Sequence, residues 1–183
     1  MNNQPLSNSQ VVIRPFATED ADEFAVAARE SVETMNPWMP WCTSAFTPSD
    51  ALAWFSTCDR ERQTDRAFDM GLFCASSGLL LGGASINQLS GHHRYGNVGY
   101  WVRQSHQRKG YARQAIALLA EFGFKRLGLY RLEIVVATGN VASQAAAAAS
   151  GAVLESLARN RIFLHGRPVD AHVYVLLPNT QAS

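Results

Sequence analysis

Hydrophobic and polar positions alternate with two different periods along this chain, and the changes of period mark its elements. Val11–Phe16 (VVIRPF) is a short β-prone run that gives way at Thr18 to a helical pattern, with Ala21, Phe24, Ala25, Ala28 and Val32 at the spacing of one helix face. Between Met35 and Phe46 the segment NPWMPWCTSAF crowds two prolines and two tryptophans together, which neither a helix nor a strand interior accepts. Thr47, Pro48 and Asp50 then supply an N-cap, a first-turn proline and a capping-box acid for a second helix with Ala51, Trp54, Phe55 and Cys58 as its stripe. Phe68, Met70, Leu72 and Cys74 alternate as a strand. Ser76-Ser77-Gly78 turns the chain, and Leu79–Ile86 returns as its hairpin partner.

Farther on, Val98–Arg103 is a strand and Gly110 opens a helix with Ala112, Ala115, Ile116, Leu119 and Phe122 facing inward, ending near Gly128. Leu132, Ile134 and Val136 alternate as the next strand, and Asn140 caps an alanine-rich helix that stops at Gly151. Val153–Leu157 and Ala171–Leu177 close the order. The pattern predicts one α/β domain. Its sheet is mixed and mostly antiparallel, of about seven strands with helices on both faces, and a strand–helix–strand crossover lies in the second half. The expected boundaries are a flexible tail over 1–10, a single domain over 11–178 and a short tail over 179–183.

Composition narrows the function classes. With 16 Lys+Arg against 15 Asp+Glu the formal net charge is +1, which excludes a generally basic nucleic-acid binder and leaves room for a local basic patch. No stretch of about 18 apolar residues suggests a membrane span. The lead MNNQPLSNSQ lacks the basic and apolar regions of a secretory leader, so a cytoplasmic protein is expected. Cys42, Cys58 and Cys74 are odd in number and widely spaced, offering neither a disulfide framework nor a zinc pattern, and read as core thiols.

Tyr100–Arg113, YWVRQSHQRKGYAR, carries the most chemistry. A strand runs through a short loop into a helix. The first turn of a helix presents amides without intrahelical partners, together with the positive end of its dipole. Gly110 gives the backbone freedom there, and Arg108, Lys109 and Arg113 surround the same point with positive charge. Cations at a helix N-terminus oppose the dipole at about 0.3–1 kcal/mol each, so their gathering points to an anion as the expected occupant. A solvated basic first turn is the alternative. The segment is not a nucleoside-triphosphate loop, and no dinucleotide fingerprint precedes a helix.

Gln107-Arg108-Lys109-Gly110-Tyr111-Ala112 resembles Q/R-x-x-G-x-G/A, the acetyl-CoA pyrophosphate motif of the GNAT superfamily. The opening IRPF, Pro37-Trp38-Met39-Pro40-Trp41, Val98-Gly99-Tyr100-Trp101-Val102, Asn140-Val141-Ala142-Ser143 and the run Gly166…Asp170…Tyr174 are similar to the branch containing ribosomal-protein N-terminal acetyltransferases. The resemblance implies a splayed strand pair, with the pantetheine arm of acetyl-CoA between Tyr100–Arg103 and Leu132–Ala137. Acetyl-CoA would be the co-substrate, with no metal. Trp101, Val102, Arg103, Arg108, Lys109, Gly110, Tyr111, Ala112, Arg113, Asn140 and Ser143 would hold it. A primary amine, on a peptide N-terminus or a small molecule, would attack the thioester directly. Ser143 would then protonate the leaving thiolate, and an amide near Tyr100 would stabilise the oxyanion. The resemblance makes a homodimer plausible, and the charge balance and hydropathy lead to the expectation of no stable nucleic-acid partner and no membrane.

The proton acceptor is the gap in this reading. Where the family often carries Glu, two residues before the Gly-Tyr pair, this chain has Asn97, which orients water but takes no proton at neutral pH. His93, beside His92, and Asp170 are candidate substrate-side groups, and Trp38 and Trp41 are candidate walls for the acceptor. Asn97 also motivates the alternative of a non-catalytic acyl-CoA-binding module. A ribosome- or RNA-contacting surface using the same basic loop is the third class.

Overall fold

The computed structural model describes residues 4–178. Among the described residues, eight strands form one sheet in the order β1-β2-β3-β4-β5-β6-β8-β7. These are β1 (Leu6–Ser7), β2 (Val11–Arg14), β3 (Phe68–Cys74), β4 (Leu80–Ser90), β5 (Tyr95–Val102), β6 (Arg131–Ala137), β7 (Val153–Leu164) and β8 (Arg167–Leu176). Every neighbouring pair is antiparallel except β5 and β6, whose crossover runs through α4 (Tyr111–Glu121). The mixed, mostly antiparallel sheet and its single crossover are as the pattern predicted.

The helices divide between the two faces. On one, Ala115, Ile116 and Leu119 of α4 and Ala147 of α5 (Val141–Ala149) pack on Val11, Ile13, Met70, Leu72, Val98, Leu132 and Ile134. On the other, Phe24 of α1 (Ala21–Glu30) and Ala51, Phe55 and Cys58 of α3 (Pro48–Gln63) pack on Phe16, Phe73 and Leu80. The short α2 (Val32–Met35) follows α1. The cap expected for α3 is present: the Asp50 amide donates to Thr47 Oγ1 at 3.2 Å and Asp50 Oδ2 accepts from the Thr47 amide at 2.8 Å.

Two boundaries differ from the pattern, and the end of α4 near Gly128 is as expected but is made by a π turn. Leu6 and Ser7 pair with Ile13 and Val12, and Leu6 is buried, so the lead expected to be free up to Gln10 contributes the eighth strand. Its one large apolar side chain reaches the core, a signal too short for any period to show. β7 runs on to Leu164, and the turn His165-Gly166, both at positive φ, makes it a long hairpin with β8. β7 is an edge strand with mostly exposed side chains, which hides its alternation. After Glu121 the helix continues as a π turn over Phe122–Arg126 before Gly128, at φ 63°. The tail expected over 179–183 lies outside the described residues.

Candidate active site

β5 and β6 pair over only three positions, Tyr95–Asn97 against Arg131–Glu133. β5 stays bound to β4 as far as Val102, and β6 stays bound to β8 as far as Ala137. The two strands therefore part after Asn97 and leave a wedge between Val98–Val102 and Ile134–Ala137. Arg103 donates its amide to Leu81 on the β4 side at 2.8 Å. In an antiparallel ladder the pairing direction alternates residue by residue, so Tyr100 and Val102 turn their N–H groups into the wedge. These are free donors for an extended arm or a developing oxyanion.

At the open end of the wedge lies the loop to α4. Arg108 and Gly110 both take left-handed backbone, at φ 61° and 81°. An added Cβ at Gly110 would meet nothing within 4 Å, so glycine is required there for its backbone angle and not for space. Arg108, Lys109 and Arg113 are exposed around the first turn. Burial, and then the charges of Lys109 and Arg103, push the His106 imidazole below its ordinary range.

Arg103 is not part of that exposed charge. It is 7% exposed, and its guanidinium forks onto Glu30, Nε to Oε1 at 2.9 Å and Nη2 to Oε2 at 2.6 Å, with Nη1 on the Leu80 carbonyl at 3.1 Å. Its expected role as a cofactor contact is corrected on this ground: both the side chain and the amide are spent on the protein. The same anchoring continues through the loop. Ser105 Oγ donates to Glu30 at 2.7 Å, the Gln104 amide to Ser31 Oγ at 2.9 Å, and Gln107 Nε2 to Thr34 Oγ1 and the Val102 carbonyl, both at 3.0 Å. Arg103 first, then Ser105, holds the Glu30 carboxyl down at about 2. Glu30, Ser31 and Thr34 carried no sequence signal, because the α1–α2 stretch reads as an ordinary solvated helix face.

Across the wedge, the Tyr100 hydroxyl donates to the Ser143 carbonyl at 3.0 Å and lies 3.0 Å from Ser143 Oγ. Asn140 Oδ1 accepts from the Ser143 amide at 3.1 Å, so Asn140 is the N-cap of α5 and fixes Ser143 in its first turn. Burial pushes the Tyr100 phenol up, and the Ser143 contact partly opposes this. A neutral phenol beside a hydroxyl is a proton-donating pair facing the parted strands.

The opposite face of β5 borders a cavity of about 400 Å³ between the sheet and α1, α3 and the Pro/Trp segment. Trp41 is one wall, with ring centroids 5.9 Å from both Phe24 and Trp101. Gly83 leaves room for Trp101, since a Cβ there would stand 2.4 Å from its Nε1. Trp38 goes elsewhere: its ring lies over Gly139, where a Cβ would be 3.1 Å away, beside the Asn140 cap. Asn97 donates to Asn87 Oδ1 at 2.9 Å, and Asn87 to Ser85 Oγ at 3.1 Å. Asp170 Oδ1 accepts from the Asn160 amide at 2.8 Å and its carbonyl from the Thr138 amide at 3.1 Å, so this side chain supports the β7–β8 hairpin instead of facing the cavity. His93 sits in the β4–β5 turn, before β5 begins at Tyr95, and Tyr95 is itself about 17 Å from Tyr100 along the strand at roughly 3.3 Å per residue. The structure does not bring it to the Tyr100–Ser143 pair.

A parted parallel strand pair, an open helix N-terminus at its end and a half-buried proton-donating pair within it define an acyl-CoA-dependent transferase. The chain belongs to the GNAT acetyltransferases: the Acetyltransferase (GNAT) domain matches residues 10–153. It is similar to the uncharacterized N-acetyltransferase YoaA of Bacillus subtilis, 29% identical over 173 residues, covering 94% of this chain and 96% of that one. A Vibrio cholerae structure provisionally named as a ribosomal-protein-serine acetyltransferase is 31% identical with a TM-score of 0.86, covering 96% of this chain and 98% of its own. Mycobacterium smegmatis RimJ, solved with a CoA-disulfide, shares the fold at a TM-score of 0.87 and 22% identity, over 98% of this chain and 88% of its own. The protein is therefore an acyltransferase enzyme.

Proposed function

We propose that the protein moves an acetyl group from acetyl-CoA to the primary amine of a peptide or protein N-terminus. Acetyl-CoA lies with its pyrophosphate on the amides of residues 108–113 and its pantetheine arm in the β5–β6 wedge. The acceptor enters from the aromatic-walled cavity on the other face. The observation that carries this reading is the parting of β5 from β6 directly beside the Tyr100–Ser143 pair. The peptide acceptor draws support from the Vibrio cholerae relative's name.

In this reading the amine nitrogen attacks the thioester carbonyl, and the oxyanion forms against the Tyr100 or Val102 amide. Collapse expels the CoA thiolate, whose conjugate thiol has an ordinary pKa of about 8.5. Ser143, with Tyr100 behind it, donates the proton that completes CoA-SH and recovers one from the acetylated nitrogen. Such an enzyme works where acetyl-CoA and new N-termini meet, which is the cytoplasm. The test is thiol release with acetyl-CoA and a set of short peptides. Turnover with at least one peptide is expected, and tight acetyl-CoA binding without release on any amine would contradict the proposal.

A further inference from the structure

The row of residues beneath the cavity contains a carboxylate that no sequence motif marks. Register places Asp69 of β3 opposite Ser85 of β4, and Ser85 opposite Gly99 of β5. All three face α1 and α3, because Phe68 and Met70 on either side of Asp69 face the other core. Asp69, Ser85 and Gly99 all line the cavity, together with Trp41 and Trp101. Gly99 keeps the end of the row open, since a Cβ there would stand 2.7 Å from Ser85 Oγ. The next row adds Asn87 and Asn97. The Asn97 Oδ1 atom is buried with no hydrogen-bond partner among the described residues.

We propose that Asp69 is the proton acceptor of the acceptor site, reached through the Ser85 hydroxyl, and that it replaces the carboxylate missing at Asn97. The proposal rests on the acetyltransfer reading above. Adjacent strands are about 4.8 Å apart, so Asp69 lies two spacings from Gly99, with Ser85 at the midpoint. An ammonium held over Gly99 donates to Ser85 Oγ as the Ser85 proton passes to Asp69. The nitrogen lone pair so freed forms the bond to the acetyl carbon. The second nitrogen proton leaves toward Ser143 when the C–S bond breaks, and Asp69 returns its proton to solvent.

The surroundings suit this role. Burial pushes the Asp69 carboxyl up, the nearby Ser85 hydroxyl opposes the shift, and the Glu61 charge adds to it. The direction brings it closer to an N-terminal amine, whose ordinary pKa is about 7.7–8.0. The titratable and charged groups around it come from α3, namely Glu61 and the Cys58 thiol, with the charges of Asp59 and Arg62 also acting at Cys58. β4 presents Ser85 and Asn87, and β5 presents Gly99 and Asn97. The walls are aromatic, so the amine it receives is carried on an apolar neighbour.

The experiment measures kcat/KM from pH 6 to 9 for Asp69→Asn, Ser85→Ala and the wild type, with leucine amide and phenylalanine amide as acceptors. Acetyl-CoA affinity is measured by calorimetry in parallel. Both variants are expected to keep wild-type acetyl-CoA affinity and to lose roughly 10²-fold in kcat/KM at pH 6.5, the usual worth of a proton acceptor. The deficit should shrink above pH 8, where the amine arrives already neutral. A deficit that is absent, or that stays constant with pH, in a wild type that turns over would overturn the assignment of Asp69 alone. If Asp69→Asn fails to fold, Ser85→Ala decides by the same criterion. A wild type that binds acetyl-CoA yet acetylates neither amide, nor any peptide, would overturn the acceptor reading and this proposal with it.

Discussion

The Tyr100 hydroxyl bridges the parted strands to Ser143, 3.0 Å from its Oγ and 3.0 Å from its carbonyl oxygen. One side chain comes from β5 and the other from the first turn of α5, so the contact exists only because the chain between them crosses over and returns parallel. If this pair supplies the proton to the thiolate, Ser143→Ala should lower kcat by about 10²-fold with little change in acetyl-CoA affinity. Tyr100→Phe should cost a similar factor. Because the two hydroxyls act together, the double variant should be little worse than either single one, as a double-mutant cycle on kcat would show.

The Glu30–Arg103 fork gives a prediction about acid. Glu30 has a folded pKa of about 2, below its ordinary 4.5. A depressed carboxylate stabilises the fold fully above its unfolded pKa, and this contribution is lost as pH falls from about 4.5 toward 2. Glu30→Gln should remove that part of the acid dependence of unfolding. It should also raise the acetyl-CoA dissociation constant several-fold at neutral pH, because Glu30 secures both Arg103 and Ser105 ahead of the phosphate loop. Thermal unfolding at pH 3, 5 and 7 with calorimetric titration checks both.

Gly110 holds φ 81° in open space. An L-residue there pays about 1–2 kcal/mol for the left-handed conformation. Gly110→Ala should therefore weaken acetyl-CoA binding about ten-fold or more, while Gly110→Asn, which tolerates this region better, should lose less. Binding isotherms on the three proteins provide the comparison.

Arg108, Lys109 and Arg113 are exposed, so their attraction for the phosphates of CoA is screened by salt. Alanine at any one of them should raise the dissociation constant several-fold at low salt and less at 0.5 M salt. Arg103→Ala should behave differently, lowering the unfolding temperature and weakening binding with little salt dependence.

The thiols separate by environment. Hydrogen bonds from Ser76 and Ser77 bring the half-buried Cys74 thiol down to about 6, whereas burial pushes Cys58 up to about 12 and raises Cys42. Iodoacetamide at pH 7 should label Cys74 first and leave acetyl-CoA binding intact, a pattern that mass mapping of the labelled peptides would reveal.

Much of the fold was legible where a single period governs a long element. The Thr47–Asp50 cap, the inward face of α4 and the β3–β4 hairpin follow from residue type and spacing alone. β1 escaped because two residues carry no period, and the end of β7 escaped because an edge strand has little need to alternate. The site divided in the same way. The loop over 107–113, Tyr100, Asn140 and Ser143 lie on one contiguous motif order, so sequence alone can group them as candidates. Arg103 was placed with the loop's charges because sequence shows neighbours along the chain, whereas its partner Glu30 is 73 residues away. Asp69 and Ser85 meet Gly99 only through strand register, which no local pattern states. His93 and Asp170 were drawn in by residue type, and the sheet geometry puts one at a distant turn and the other beneath a hairpin.

A crystal structure of the protein with acetyl-CoA tests the central claim most directly. The account predicts the pyrophosphate on the amides of residues 108–113, the pantetheine arm between Val98–Val102 and Ile134–Ala137, and the thioester sulfur beside Tyr100 and Ser143. Acetyl-CoA bound outside the β5–β6 wedge, or with its sulfur remote from those two hydroxyls, would contradict it.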